Sequence, residues 1–562
     1  MSIKLADYLF TRLRQLGIQS IFGVPGDYNL HLLDFVQPSG LSWVGTCNEL
    51  NAAYAADGYA RINGISALIT TFGVGELSAI NGIAGAYAEK APIIHIVGTP
   101  ARTIQDSRAL VHHTLADGEF RRFADMASHV TVAQVDLKDP RLVPDQVDWA
   151  LREAMIHSRP VYLEVPGDMV DVHVDASNLT TMICTPSAPV TGYEPVVLDR
   201  ILDRIYAAKR PLILVDGESR CMGILGEIDG LVKTTGWPTW TTIFGKSLVN
   251  EQLANVYGIY AGSLGDPQWK EYFDSADLII AMGPHYSDTN SQNFTTIPNP
   301  TVTITLSNTY VQMDGDIYRD IHPSNILPQI LEALDTSRVP RVTGPAKSTK
   351  EADQLNPSDP ITQKDFYRIA NSLFRECDIV LTETGTAAHG GRNMVLPQNT
   401  RLLGPATWLS IGYMLPATLG AALAQRERTQ NPESRAILFI GDGSLQMTVQ
   451  EISTIIRESL NVIIIIINNE GYTIERAIHG RKQSYNDIAP WRHAQALGFF
   501  GADDTHLTKR YFSARTWDQL DAVLRNKSIQ DGTGVRMVEV FMGREDVQGA
   551  LLRLLEKQIG DE

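Results

Sequence analysis

At 562 residues, 44% of them hydrophobic and 20% charged, the chain has ordinary globular composition but is too long for one core, which predicts three to four domains. A formal net charge of −16 argues against a nucleic-acid or anionic-membrane partner, and no apolar run approaches the length of a bilayer span. Four scattered cysteines (Cys47, Cys184, Cys221, Cys377) show neither a disulfide framework nor zinc-ligand spacing, so a soluble, cytoplasmic protein is expected.

The N-terminal segment alternates helix and strand patterns. Leu5–Leu16 mixes apolar and charged residues as an amphipathic helix and not as a signal peptide. The strand Ser20–Val24, the helix Asn48–Arg61 and the strands Ala67–Thr71 and Ile93–Val97 follow. Gly23-Val24-Pro25-Gly26-Asp27 reads as a strand ending in a turn, with Asp27 at its tip. Glu49 falls in the first turn of its helix, where an acid commonly complements the helix dipole; the functional reading makes it a buried acid facing a heteroaromatic nitrogen. Thr71–Ser78 holds only two glycines of a dinucleotide fingerprint and is read as a close-packed strand-to-helix turn. His112-His113 is an adjacent pair. Neighbouring side chains diverge in regular structure, so a paired metal site is not expected there.

Two Pro-rich polar stretches, around residues 180–195 and 339–360, divide the rest. Between them strands are expected at Leu212–Val215, Leu278–Met282 and Thr301–Leu306, and beyond them lies a third α/β unit. The expectation is an α/β chain of three consecutive open, mostly parallel sheets with helices on both faces. Their limits are 1–178, 195–340 and 360–545, with a C-terminal helix in 546–562.

The third unit carries the most specific pattern. Ala436–Ile440 is a short apolar run ending at Gly441-Asp442-Gly443-Ser444; a helical pattern from Gln446 to Glu458 follows, then a second apolar run, Val462–Ile467, ending at Asn468-Asn469. In a parallel sheet both strands end on one edge, which places Asp442 beside Asn469 where ligands of such sheets bind. A carboxylate, an amide oxygen and the Gly471 carbonyl are a suitable oxygen set for Mg²⁺ carrying substrate phosphate. The Ser444 hydroxyl and the amides opening the helix suit a diphosphate. Alone, the glycine turn is as readily a plain turn. Paired with the asparagines in strand-helix-strand context, it is far more specific.

Gly23-Val24-Pro25-Gly26-Asp27-Tyr28-Asn29, the segments 48–61, 71–89 and 112–120, the metal motif and the segment 468–480 together resemble the thiamine-diphosphate-dependent 2-oxo acid decarboxylases, in order and spacing along essentially the whole chain. That group includes pyruvate, indolepyruvate and phenylpyruvate decarboxylases. The resemblance implies thiamine diphosphate and Mg²⁺ as cofactors and an N-terminal pyrimidine-binding, a central and a C-terminal diphosphate-binding domain. It assigns Asp442, Asn469 and the Gly471 carbonyl to the metal, with Thr386, Gly443 and Ser444 at the diphosphate. Leu409, Ile411 and Ile474 would hold the bent cofactor, and Glu49 would contact its pyrimidine. Asp27, His112, His113, Glu49 and Glu475 would be the catalytic set. It further implies a homodimer or homotetramer with active sites at the dimer interface.

Thr289 and Ala388 fall at pocket positions of the family, and both are small, which relaxes selectivity against longer apolar groups. The sequence therefore leans toward aromatic or broad 2-oxo acids (the indolepyruvate type), with pyruvate as the alternative. Lys90 stands where substrate-activated relatives have a histidine, and Cys221 is out of register with their regulatory cysteine. A synthase of the same cofactor class and a non-catalytic scaffold are the competing readings. Both are disfavoured by the intact acids and histidines.

Overall fold

The computed structural model describes residues 2–184, 192–347, 355–503 and 509–561. In the first α/β unit six parallel strands lie in the order Ser42–Gly45, Ser20–Gly23, Ser66–Thr71, Ile93–Thr99, Val161–Pro166, Gln134–Asp136. The third unit repeats this order with Arg401–Leu403, Ile379–Thr382, Arg435–Gly441, Asn461–Asn468, Val535–Phe541 and Tyr511–Ala514, again all parallel. The central unit sets parallel strands Val256–Ile259, Thr239–Thr241, Pro211–Val215, Leu278–Met282 and Thr303–Ser307 side by side. An antiparallel hairpin, Tyr310–Met313 and Asp316–Tyr318, extends its edge.

The expected strands are present with small shifts at their ends. Strands covered by helices on both faces are continuously apolar, and Val462–Ile467 is buried at every residue. One helix departs from the pattern. The stretch read as a single helix from Gln446 is two, Asp442–Thr448 and Glu451–Arg457, and the first begins on the aspartate of the glycine turn. Its opening turn buries Asp442, Gly443 and Ser444, so apolar periodicity could not register it. The C-terminal helix runs Gly549–Asp561.

The first and third units meet through two helices, Glu49–Asn63 and Met414–Thr429. Asn48 caps the first, accepting from the Asn51 amide at 2.8 Å, and Gly64 (φ 98°) ends it. Their backbones approach closely because the crossing is built from alanine and glycine. A Cβ on Gly420 would lie 1.8 Å from the Ala55 carbonyl oxygen, and one on Gly58 2.1 Å from that of Ala417. Gly420→Ala is therefore expected to destabilise the chain by about 1–3 kcal/mol, the usual cost of overpacking. A fall in the thermal midpoint would show it; an unchanged midpoint would contradict so close a crossing.

Candidate active site

The functional residues sit at the carboxyl edges of the first and third sheets, where strand order reverses. At the first edge, the loop after Ser20–Gly23 carries Asp27, and the connection after Ile93–Thr99 carries His112 and His113. Asp27 Oδ2 lies 2.5 Å from His112 Nε2, and the Tyr28 ring stacks on His112 with centroids 4.9 Å apart. The two histidine rings are 4.8 Å apart. They do not diverge as expected, because His113 adopts φ 65°, outside helix and strand geometry, and turns its ring back beside its neighbour. One ligand-capable atom from each of Asp27, His112 and His113 falls within 4.8 Å of the others, and His113 Nδ1 is buried without a hydrogen-bond partner.

Glu49 opens its helix against the turn before Val74–Ala88; a Cβ on Gly75 would lie 3.1 Å from Glu49 Oε1. Burial raises its pKa, opposed in part by a backbone hydrogen bond. The start of this helix is fixed on the third unit. Glu451 Oε1 accepts from the Cys47 amide at 2.8 Å and from Asn51 Nδ2 at 2.9 Å.

Glu76 lies behind the histidines. Its carboxylate accepts from the Gly73 amide at 2.8 Å and the Tyr162 hydroxyl at 2.7 Å, and Gly73 (φ 71°) packs on the His113 backbone so closely that a Cβ would meet the carbonyl oxygen at 2.2 Å. Burial pushes Glu76 up to about 7. An acid with a raised folded-state pKa binds its proton more tightly when folded, so stability falls as pH rises from about 4.5 through about 7. Glu383, also buried and raised to about 7, acts in the same direction. Glu76→Gln, where the Tyr162 hydroxyl can reverse its bond, is expected to make this fall in stability shallower in denaturation measured across that range. An unaltered slope would mean that Glu76 ionises in the fold at no cost.

At the third sheet, Arg435–Gly441 delivers Asp442 and Asn461–Asn468 delivers Asn469, with Gly441 in register with Ile467. One terminal atom of the Asn469 amide lies 3.0 Å from the Gly471 carbonyl oxygen and 3.1 Å from Asp442 Oδ1; the other lies 2.9 Å from Thr473 Oγ1. With the nitrogen inward, the amide donates to both acceptors. With the oxygen inward, these oxygens sit at the separation of adjacent ligands on an octahedron of radius 2.0–2.1 Å, about 3.0 Å, and a cation would satisfy them. Burial raises Asp442 to about 6, opposed in part by amide bonds from Gly443, Glu470 and Gly471 and by the charge of His493. The residues fit a hard cation.

Around this set, Gly443 leaves a cradle, since a Cβ there would press on the Tyr472 ring at 2.8 Å. Ser444 is buried in the same first turn, and Thr386 opens the helix Thr386–Gly391 after Gly385 (φ 117°). Ile474 and Glu475 lie in Thr473–Ile478; the charges of Glu475 and Asp442 both bear on the Tyr472 hydroxyl, which burial first raises. Leu409 takes φ 53°, a left-handed conformation costly for leucine, and leads into Ser410, whose hydroxyl bonds Tyr54 at 2.6 Å, and Ile411. Thr289 turns its hydroxyl onto the Ala406 carbonyl. Ala388 lines a cavity between the units.

The structure thus joins Asp27, His112 and His113 in one cluster and Asp442, Asn469 and Gly471 in another. Within the single chain no contact among the described residues links Glu475 or the Asp442 cluster directly to the histidines. Sequence reading missed Glu76, Glu383 and Glu451. Glu383 follows a buried strand directly; its carboxylate accepts from the Thr384 and Met414 amides, both at 2.8 Å, tying the Thr386 turn to the segment after Ile411. A lone acid at a strand's carboxyl end was the available signal.

Comparison with known proteins identifies the family. Family models of the thiamine pyrophosphate enzymes match residues 3–120 (N-terminal TPP binding domain), 198–334 (central domain) and 384–540 (C-terminal TPP binding domain). All three domain types of that enzyme class are present. A protein named pyruvate decarboxylase from Aspergillus parasiticus is 51% identical, with 99% of this chain and 98% of the relative covered. Pyruvate decarboxylase isozyme 1 of Saccharomyces cerevisiae is 39% identical over 96% and 95%. The thiamine diphosphate-dependent 4-hydroxybenzoylformate decarboxylase of Rhodococcus jostii RHA1 shares the fold, with a TM-score of 0.76, 17% identity and coverage of 97% and 100%. The chain belongs to the thiamine-diphosphate-dependent 2-oxo acid decarboxylase family, with thiamine diphosphate as its cofactor.

Proposed function

We propose that the chain decarboxylates pyruvate to acetaldehyde and CO₂ without oxidation, using Mg²⁺ beside its cofactor, in the cytoplasm. The observation that carries the chemistry is the convergence of Asp442, Asn469 and the Gly471 carbonyl on one point at the sheet edge. Support for pyruvate is the 51% identity, over nearly the whole length, to a relative named for that substrate. This favours pyruvate over the aromatic acids toward which Thr289 and Ala388 point.

Asp442, Asn469 and Gly471 would hold the metal, and Thr386, Ser444 and the Gly443 amide the diphosphate. Leu409, Ile411 and Ile474 would shape the bed between the two clusters. Thiamine diphosphate supplies the electron sink that loss of CO₂ from a 2-oxo acid requires. Glu49, with its raised pKa, is suited to hold a proton toward the pyrimidine. The Asp27–His112 pair, with His113 beside it and Glu475 across the site, would carry protons to and from substrate.

Asp27 and His112 remain about half exposed in the single chain (side-chain exposure 49% and 58%). Exposed apolar residues flank both clusters: Val74, Leu110 and Leu115 near the histidines, Met447 and Ile478 near the metal set. These features support a homodimer or homotetramer in which one chain's N-terminal edge faces the partner's C-terminal edge. Among the described residues no helix is long and apolar enough to cross a membrane.

The broader reading keeps one specific support, the small Thr289 side chain, whose hydroxyl is occupied by backbone. Comparing kcat/KM for pyruvate, 3-methyl-2-oxobutanoate, phenylpyruvate and indolepyruvate separates the two. Pyruvate is expected to lead by about tenfold or more; a lead for phenylpyruvate or indolepyruvate would restore the aromatic reading.

A further inference from the structure

The strand Asn461–Asn468 ends on a pair of asparagines, and the metal set uses only the second of them. Asn468 turns instead toward the neighbouring strand Val535–Phe541. Ile466 is in register with Glu539, and Asn468, two residues on, shares its face at the carboxyl edge. Asn468 Nδ2 donates to Glu539 Oε1 at 2.6 Å, and Asn468 Oδ1 accepts from the Glu470 amide at 3.3 Å. Glu470 stands between Asn469 and Gly471 and takes φ 56°, a left-handed conformation costly for glutamate. Its amide also supports the Asp442 carboxylate.

Glu539 is buried, only 5% exposed, and gathers two further donors. His493 Nδ1 lies 2.8 Å from Oε1, and the Tyr511 hydroxyl donates to Oε2. Burial opposes its charge, but the bonds from His493, Tyr511 and Asn468, with the charge of His493, outweigh burial and hold Glu539 below its ordinary pKa. An ionised carboxylate only accepts hydrogen bonds. It therefore fixes the Asn468 amide with its nitrogen toward Glu539 and its oxygen toward Glu470. His493 extends the network: its Nε2 is buried without a partner, and its charge bears on Asp442.

We infer that Glu539, acting through Asn468, is a positioning residue for the cation. It holds the strained turn that presents the Asn469 amide and the Gly471 carbonyl beside Asp442. That role rests on the reading that Asp442, Asn469 and Gly471 hold Mg²⁺, and it gives the first asparagine of the pair a task of its own. A neutral amide at 539 could offer an N–H as well as an oxygen, so the Asn468 amide would lose its enforced orientation.

The test strips the full chain of metal, keeps thiamine diphosphate in excess and titrates Mg²⁺ calorimetrically. Parent, Asn468→Ala, Glu539→Gln, their double variant and Asp442→Ala are compared. Asn468→Ala and Glu539→Gln are each expected to weaken Mg²⁺ binding by about 10–100-fold, as loss of an outer-shell partner does. Their kcat should return toward the parental value once Mg²⁺ is saturating, and stripped of metal and cofactor they should melt close to the stripped parent. Because Glu539 acts through Asn468, the double variant should lose little more than either single one, whereas independent sites would add. Glu539→Asp, which keeps the charge and shortens the reach to Asn468, replaces Glu539→Gln if that variant does not fold. Parental Mg²⁺ affinity in Asn468→Ala would overturn the proposal, as would additive losses, or melting points that fall while affinity holds. Asp442→Ala separates the two readings. Parental affinity there removes the metal set itself; affinity lost there but kept in Asn468→Ala removes the role of Glu539 alone.

Discussion

Glu49→Gln is expected to lower kcat by about 10²–10⁴-fold, the usual range for a positioned acid or base, while the cofactor remains bound. The substitution keeps the shape of the side chain. It leaves the Asn48 cap and the two bonds to Glu451 that fix the helix start, so the fold has no reason to change. It removes a carboxyl whose pKa burial raises, and with it the means of holding or releasing a proton at that atom. The diphosphate and metal residues lie on another unit and are untouched, so cofactor per chain should match the parent. A variant with full activity would take Glu49 out of the chemistry. One that loses cofactor would make its role binding alone.

The sequence exposed those parts of the site whose meaning is local. Gly441-Asp442-Gly443 and Asn468-Asn469 end two apolar runs, and the parallel pairing of those runs is enough to bring Asp442 to Asn469. Asp27 was legible for the same reason, as an acid just beyond a strand, and Glu49 as an acid in the first turn of a helix. What pattern could not supply was burial by distant chain. Glu76 looks like an ordinary first-turn acid; only the Tyr162 hydroxyl and the surrounding core make it a group held near pKa 7. Glu451 gains its role from Cys47 and Asn51, some four hundred residues away. The convergence of the His112 and His113 rings escaped because a positive φ at His113 breaks the rule that neighbours diverge. The interdomain cavity is assembled from all three units and had no signature in any one of them. The substrate argument weighed side-chain volume at Thr289 and Ala388, but pattern could not show that the Thr289 hydroxyl is tied to the Ala406 backbone or that Ala388 lines the cavity between the units.

Asp442→Ala should act with opposite signs on the empty and the loaded protein. Without metal, Asp442 is a buried carboxylate lifted to about 6, desolvation outweighing its amide bonds and the charge of His493, so removing it relieves desolvation near neutral pH. The variant stripped of metal and cofactor is expected to melt no lower than the stripped parent. The parent gains stability from a ligand that binds only its folded state, by about 2.7 kcal/mol at a hundredfold excess over Kd. The variant should lose most of that gain, because one of the converging oxygens is absent and the diphosphate charge is left less compensated. Its affinity for the metal should fall by more than the roughly 10–100-fold that follows loss of an outer-shell partner, and activity should fall with it. Chelation of the parent by EDTA should reproduce these losses and be reversed by Mg²⁺, whereas the variant should recover little. A variant that melts well below the stripped parent would show that Asp442 is held by its amide bonds as a structural acid. Mg²⁺-dependent activity equal to the parent's would place the metal elsewhere along the sheet edge.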